Sequence, residues 1–445
     1  MPDSSLLFLW TRPRVTPAAR RVRQAGGLCA CTLATLAGIA LLAPRAGFGA
    51  DDGDAPPAPT PPVAVARTES DALLAPDPSQ QKEEMAFLKG IETSVNTGDG
   101  SAYTAALDTP VILYAANRGL GVSEKDLAKE TEDFEKKADF GGTVAAAIKS
   151  SHGSFHLDWV KTVDGQRRAL FRLVLGGKGG MNFHEVVLMK DSFHHYRIRD
   201  IYIATEGAML SAGLHHEFEM SALPSNPALH KSLSANELEL IGHAKDIDQL
   251  HQLDTQEHYA DAIKLYKAMP PPVKRDRTAM MWTVIAAAAA GDKATYDTLS
   301  RSYAAAFPHD TALDLNLLDI YFLKQKYEQT VNILDHLEAR LGPDGILLCI
   351  HARCLLELGK TDASAKIAGE AVDADPTLEA AYDRALSAEL LLQHWGRIAD
   401  LLDRYQKNLG RPLPDLEKGT TFQAFLQTAD GKKYLADHPT PPAKH

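Results

Sequence analysis

Cysteine is scarce in this chain, with four thiols among 445 residues. Two of them, Cys29 and Cys31, fall in an N-terminal segment expected to be removed, which leaves Cys349 and Cys354. Five residues apart on one predicted helix, these two point to different faces, so they neither close a disulfide nor match the spacing of zinc ligands. That excludes a disulfide-stapled fold and leaves buried structural thiols as the expectation. Familiar catalytic signatures are missing too. No Gly-x-Ser-x-Gly, His-Glu-x-x-His or dinucleotide-binding glycine pattern occurs. Residues 176–180, Gly-Gly-Lys-Gly-Gly, lack the phosphate-loop pattern and precede no helix, so they read as a hairpin. Positive charge is short, with 47 Lys and Arg against 58 Asp and Glu and a net charge of −11. Residues 1–49 hold six Arg and one Asp, so the remainder carries −16. Such a chain is repelled by phosphates, which argues against nucleic acid and anionic membrane surfaces as partners.

What is present begins with a targeting pattern. Arg12, Arg14, Arg20, Arg21 and Arg23 precede an apolar run over residues 26–43, followed by Pro44 and small residues around 47–50. This is the layout of a cleaved secretory signal, with an N-terminal membrane anchor as the alternative. The expected location is therefore periplasmic or secreted. Residues 51–80 are rich in Pro, Ala and acid, and read as a disordered tether. Overall hydrophobic content of 45% and charged content of 24% are ordinary for a soluble protein of two or three domains.

The second half repeats itself. From residue 243 to 410, five stretches share a 34-residue register. The eighth position holds Leu250, Val284, Leu318, Ala352 and Leu386. The seventeenth holds Tyr259, Tyr327 and Trp395 in the first, third and fifth stretches. Gly291 and Gly359 occupy equivalent turns, and Pro308 and Pro376 equivalent ends. A fixed period with apolar residues at fixed offsets is what stacked helix pairs need, because one pair alone cannot bury its apolar face. Leu355, Gly359, Ser364, Ala371 and Pro376 in the fourth stretch, with Ala262 and Tyr266 in the first, make this half resemble the tetratricopeptide repeat family. That resemblance implies a helical solenoid whose groove binds peptides or extended protein segments. It also implies that helix A positions 2, 5, 9 and 12 line the groove. The groove candidates on this register include His251, Asp254, Asp319, Phe322 and Arg353. The Lys, Asn and Arg set with which such family members clamp a C-terminal carboxylate is missing.

Residues 81–217 have a different pattern. Met85, Phe87, Leu88, Ile91 and Val95 lie on one face of a predicted helix. A Gly98-Asp99-Gly100 turn, a second helix over 101–107, a short apolar run over 111–116 and a third helix capped by Ser123 follow. Extended segments are predicted at 155–161, 168–175, 181–189 and 195–205, linked as hairpins. Three helices then a curved antiparallel sheet indicate an α+β domain. The helix–GDG–helix opening and the strand RIRDIYIATEGAMLS resemble the cone-like fold of the nuclear transport factor 2-like superfamily, which holds both enzymes and non-catalytic binding domains. Strand alternation places Phe183, Glu185 and Val187 on one face and Tyr196, Ile198, Asp200 and Tyr202 on one face of the next strand. Glu185, Asp200, Tyr196 and Tyr202 are therefore the candidate pocket residues; the alternative is that the two carboxylates pair with Arg172, Arg197 or Arg199. His184 could face His156 or His195, but adjacent strand residues point apart, and no metal site, cofactor or catalytic set is expected.

The expected chain is thus multidomain: an α+β cone-like domain followed by an all-α tetratricopeptide-type solenoid. The plan runs from an export signal (1–50) and tether (51–80) to the α+β domain (81–222) and a linker or first helix (223–242). About five repeats (243–412), capping helices (413–438) and a disordered tail (439–445) complete it. The expected function is an exported, non-enzymatic interaction scaffold with a protein or peptide partner in the cell envelope. In that reading the α+β domain serves dimerisation or ligand binding. The alternative is a small-molecule enzyme or sensor built on the α+β domain.

Overall fold

A computed structural model describes residues 78–176, 180–222, 233–308, 310–411, 413, 416–417 and 420–438. The expected export signal, nearly all of the tether, the C-terminal tail and the centre of the 176–180 hairpin lie outside the described residues. The chain is α+β first and all-α afterwards. Its residues divide into two compact units at Leu313/Asp314.

The first unit opens with five helices: α1 (Pro78–Thr97), α2 (Ser101–Ala106), α3 (Thr109–Ala116), α4 (Glu124–Lys137) and α5 (Phe140–Ser151). Two of these depart from the three expected. The apolar run at 111–116 is helical because Asp108 caps it, accepting from the Val111 amide, with Pro110 in the first turn. The α5 helix starts at Phe140-Gly141-Gly142, where glycines mask the signal. Asp139 caps it by accepting from the Gly142 amide at 2.9 Å. Gly141 is required there, since a Cβ would lie 2.1 Å from the Gly100 carbonyl oxygen.

The strands β1 (Ser154–Val163), β2 (Gln166–Leu175), β3 (Gly180–Lys190), β4 (Tyr196–Ile203) and β5 (Ala208–Met209) form an antiparallel meander in chain order. Helix α6 (Leu210–Ala222) follows. One sheet face packs against the helices through Phe155, Phe171, Val186, Ile198 and Ile201, with Leu88, Tyr103 and Phe140 opposite. Asn96 reaches from α1 to the backbone of Phe155, donating to its carbonyl at 2.7 Å and accepting its amide at 2.9 Å, and so covers the β1 edge. Glu84, almost fully buried, takes a forked pair of hydrogen bonds from Arg167 and fixes α1 to β2.

The register slips between Val187/Asp200 and Leu188/Ile198, a β-bulge at Arg199. It overturns strict alternation. Ile198 joins the core face, whereas Asp200 and Tyr202 stand opposite Val187 and Glu185.

Helix α7 (Ala235–Gly242) leads into two helix pairs: α8 (Ala244–Thr255) with α9 (Tyr259–Ala268), and α10 (Arg277–Ala290) with α11 (Lys293–Ala306). Within this unit α8 packs on α9 and on α10. The segment after α11 docks on the sheet. Thr311 donates to the Ala204 carbonyl at 3.0 Å and lies 3.3 Å from the Tyr202 hydroxyl. Asp310 accepts from Arg277 at 3.0 Å and from the Tyr303 hydroxyl at 2.6 Å. Gly207 has φ +60, and its missing Cβ leaves room for the Asp310 carboxylate.

Helix α12 (Ala312–Leu323) crosses the boundary. The second unit continues with α13 (Tyr327–Leu341), α14 (Gly345–Glu357), α15 (Thr361–Ala374), α16 (Glu379–Leu392) and α17 (Trp395–Leu409). Two short helices, α18 (Gln423–Leu426) and α19 (Ala429–Asp437), add Phe425, Leu426 and Tyr434 to the core that α14–α17 build.

All five helix pairs close in one way. Glu257, Gly291, Gln325, Gly359 and Gln393 have positive φ and recur every 34 residues. The next amide in each case reaches back to a carbonyl in the preceding helix: His258 to Leu253, Asp292 to Ala287, Lys326 to Tyr321, Lys360 to Leu355 and His394 to Glu389, at 2.8–3.0 Å. This six-to-one hydrogen bond after a left-handed residue satisfies carbonyls that the helix end leaves free. The second helix of each pair starts two residues later, at Tyr259, Lys293, Tyr327, Thr361 and Trp395. The eighth-position residues, Leu250, Val284, Leu318, Ala352 and Leu386, are all buried.

Candidate functional site

Of the four candidate residues in the α+β unit, Glu185 and Tyr202 face each other across β3 and β4, and Tyr196 lies at the far end of β4. Glu185 is 1% exposed and pairs with Arg168 at 2.5 Å. Arg172 pairs with Asp158 at 3.2 Å. Tyr202 faces Glu185 across the strands, but its hydroxyl lies against Thr311. Asp200 accepts from the Ile201 and Ser211 amides and from the Ser211 hydroxyl, so it fastens the start of α6. Tyr196 sits elsewhere, stacked on Phe87, with its hydroxyl donating to the Gln80 carbonyl at 3.2 Å.

The space between sheet and helices is filled by aromatic rings. Phe155 and Phe171 stack at 4.7 Å, and Tyr103 packs edge-on to Phe140. His184 lies among them, 3.0 Å from the Tyr103 hydroxyl, and burial lowers its pKa to about 3. It is a neutral core imidazole. A cleft of about 450 Å³ opens beside α2 and α4, lined by Leu107, Asp108, Phe134, Asp191 and Arg197 among others. Three of its charged groups are engaged. Arg197 donates to the Ala105 carbonyl and to Asp191, Asp191 holds the Phe193 and His195 amides, and Asp108 caps α3. Among the described residues, no group of three or more His, Cys, Asp or Glu side chains could hold a metal ion.

On α8 of the first unit, by contrast, two polar atoms are buried without hydrogen-bond partners. On α8, His251 lies against the Trp282 ring of α10, with centroids 4.4 Å apart. Its Nε2 is buried and makes no hydrogen bond, and burial lowers its pKa against the opposing influence of Asp248. One turn on, the Oδ1 of Asp254 is likewise buried and unbonded. Burial pushes this carboxyl up to about 7, and its charge is felt by Tyr259 at the start of α9.

In the second unit Asp319, on α12, is only partly covered, yet desolvation raises its carboxyl to about 7. A side chain open on one side and enclosed on the others behaves this way. Phe322, one turn later, lies under the Arg353 guanidinium of α14 at 5.0 Å and edge-on to Tyr327. Arg384 of α16 stands near Arg353, and burial together with that like charge lowers its pKa.

The sequence reading named His251 and Asp254 in the first unit, and Asp319, Phe322 and Arg353 in the second. It missed Trp282 and Arg384. Both occupy the sixth position of their repeats, as does Asp248, so that register position carried the signal.

No protein-family model matches the chain, and it matches no curated protein and no solved structure. The class that stands is an α+β domain with a five-stranded antiparallel sheet, followed by all-α helix pairs. Among the described residues, no helix is long and apolar enough to cross a membrane.

Proposed function

We propose that the helical half is a tetratricopeptide-type array and that the protein is an exported, non-enzymatic scaffold. Its first helices hold an extended segment of a partner protein in the cell envelope. The observation that carries this reading is the fivefold helix closure at a 34-residue spacing, from Glu257 to Gln393. Helix pairs of one period set their first helices side by side along one face, the arrangement that binds peptides in helical repeat proteins. The recessed groups on that face support it, since desolvated and unbonded side chains are costly unless another molecule completes them.

Export rests on the arginine-led apolar segment before residue 50. The α+β domain is read as cone-like, of the nuclear transport factor 2-like type. Its aromatic filling and engaged carboxylates favour a docking or dimerisation role over chemistry.

The test is affinity capture from the envelope fraction, followed by mass spectrometry, with the whole mature chain as bait. Proteins recovered by the native chain should be lost with Asp319→Lys and with Arg353→Glu. They should be retained with Lys366→Glu, whose side chain is 77% exposed on α15. Equal recovery by all three variants would remove the scaffold reading.

A further inference from the structure

Two orphaned groups lie one turn apart on α8, the Asp254 carboxylate oxygen and the His251 ring nitrogen, and the Trp282 indole packs on the His251 ring. They come from two helices, α8 and α10, and the start of α9 adds Tyr259. The charges recorded as acting on these groups are all acidic: Asp248 on His251, and Asp254 and Glu257 on Tyr259. Burial is what raises the Asp254 carboxyl. Resting on the scaffold reading above, we infer that this place is a subsite for a cationic side chain, Lys or Arg, on an extended segment of a protein partner.

The chemistry fits the cation in three ways. A recessed carboxylate with no hydrogen bond gains most from an ammonium or guanidinium, which supplies both donors and the opposite charge. The Trp282 indole, packed on His251 one turn away, attracts the same group. The His251 Nε2, next along α8, is placed to meet a backbone amide or carbonyl of the segment that carries the cation. Charge at long range agrees, because the chain beyond residue 49 carries −16 and steers basic segments inward. An acidic ligand would meet an unpaired carboxylate and be repelled.

The test titrates a capped hexalysine peptide into the mature full-length chain by calorimetry at low salt, with hexaglutamate as the opposite charge. Hexalysine should bind and hexaglutamate should not. Asp254→Asn should weaken hexalysine about tenfold or more, the scale of losing one partner of a desolvated charge pair. Trp282→Leu should weaken it about threefold. Asp297→Asn, an exposed carboxylate on α11, should leave the affinity within about twofold, as expected of a screened surface charge. Asp254→Glu keeps the charge and should retain most of the binding, which separates charge from shape. Thermal melting of each variant confirms folding.

Loss of binding equal in Asp254→Asn and Asp297→Asn would reduce the effect to net charge and overturn the subsite. No binding by the native chain, or full binding by Asp254→Asn, would overturn it as well. The scaffold reading fails separately: its readout is partner recovery with Asp319→Lys and Arg353→Glu in the second unit, where hexalysine binding at Asp254 plays no part.

Discussion

Asp254 is an acid that folding makes weaker. Its carboxyl ordinarily titrates at 3.8 and in the folded chain near 7, through burial. Between those values the folded state holds a proton that the unfolded state has lost. Stability therefore falls as pH rises from about 4 to about 7 and then levels off. Asp254→Asn removes this dependence. The variant should melt higher than the native chain at pH 8 and no higher at pH 4, with a gain on the order of 2–4 kcal/mol as an upper bound. Melting curves at the two pH values check this, and an equal shift at both would contradict it. Asp319, raised by the same cause to a similar value, should behave alike. The native sequence keeps two acids that lower its own stability at neutral pH. Such a choice is expected where binding, rather than folding, sets the residue.

At the scale of the element, the left-handed residue that ends each first helix governs the repeat. Two of the five, Gly291 and Gly359, are glycine and adopt positive φ without a steric cost. Glu257, Gln325 and Gln393 pay for theirs through Cβ crowding. Replacing Gln325 and Gln393 by Gly should stabilise the second unit by roughly 0.5–1 kcal/mol each, and by about the sum together, since the two lie in separate turns. Denaturant midpoints of the single and double variants measure it. A loss of stability would mean that these side chains hold the turns by contacts of their own. These same residues mark the limit of what the sequence discloses. Glycine at two of five turns, with eighth-position apolar residues, was enough to set the 34-residue register. The other three turns are silent because glutamate and glutamine carry no turn signal. In the α+β half the helix at 140–151 hides behind two glycines. The bulge at Arg199 also hides, because a single extra residue leaves the apolar pattern of a strand almost unchanged while it reverses the face of Ile198. Asp200 is drawn to Ser211, a residue 11 positions away that no strand pattern would pair with it.

At the scale of the molecule, the sheet and the first two helix pairs belong to one compact unit, although their sequences look unrelated. The tie is the segment after α11. Thr311, 2% exposed, supplies a hydroxyl to the Ala204 carbonyl, and Asp310 gathers Arg277 and Tyr303 beside Gly207. Breaking a buried tie of this kind costs about 1–3 kcal/mol, because the Ala204 carbonyl loses its Thr311 donor. Two tryptophans report on the two sides: Trp159 on β1 and Trp282 on α10. In chains whose other tryptophans are replaced by Phe, fluorescence from each should follow the same denaturant transition, as one cooperative unit requires. Thr311→Val should then move both transitions together by the same amount. Transitions that separate already in the native chain would show that the sheet and the helix pairs fold independently. If only Trp159 moved with Thr311→Val, the docked segment would serve the sheet alone. The coincident outcome has a consequence for binding: a partner held at His251 and Asp254 would raise the stability reported by Trp159 as well, because ligation of one part of a cooperative unit stabilises the whole.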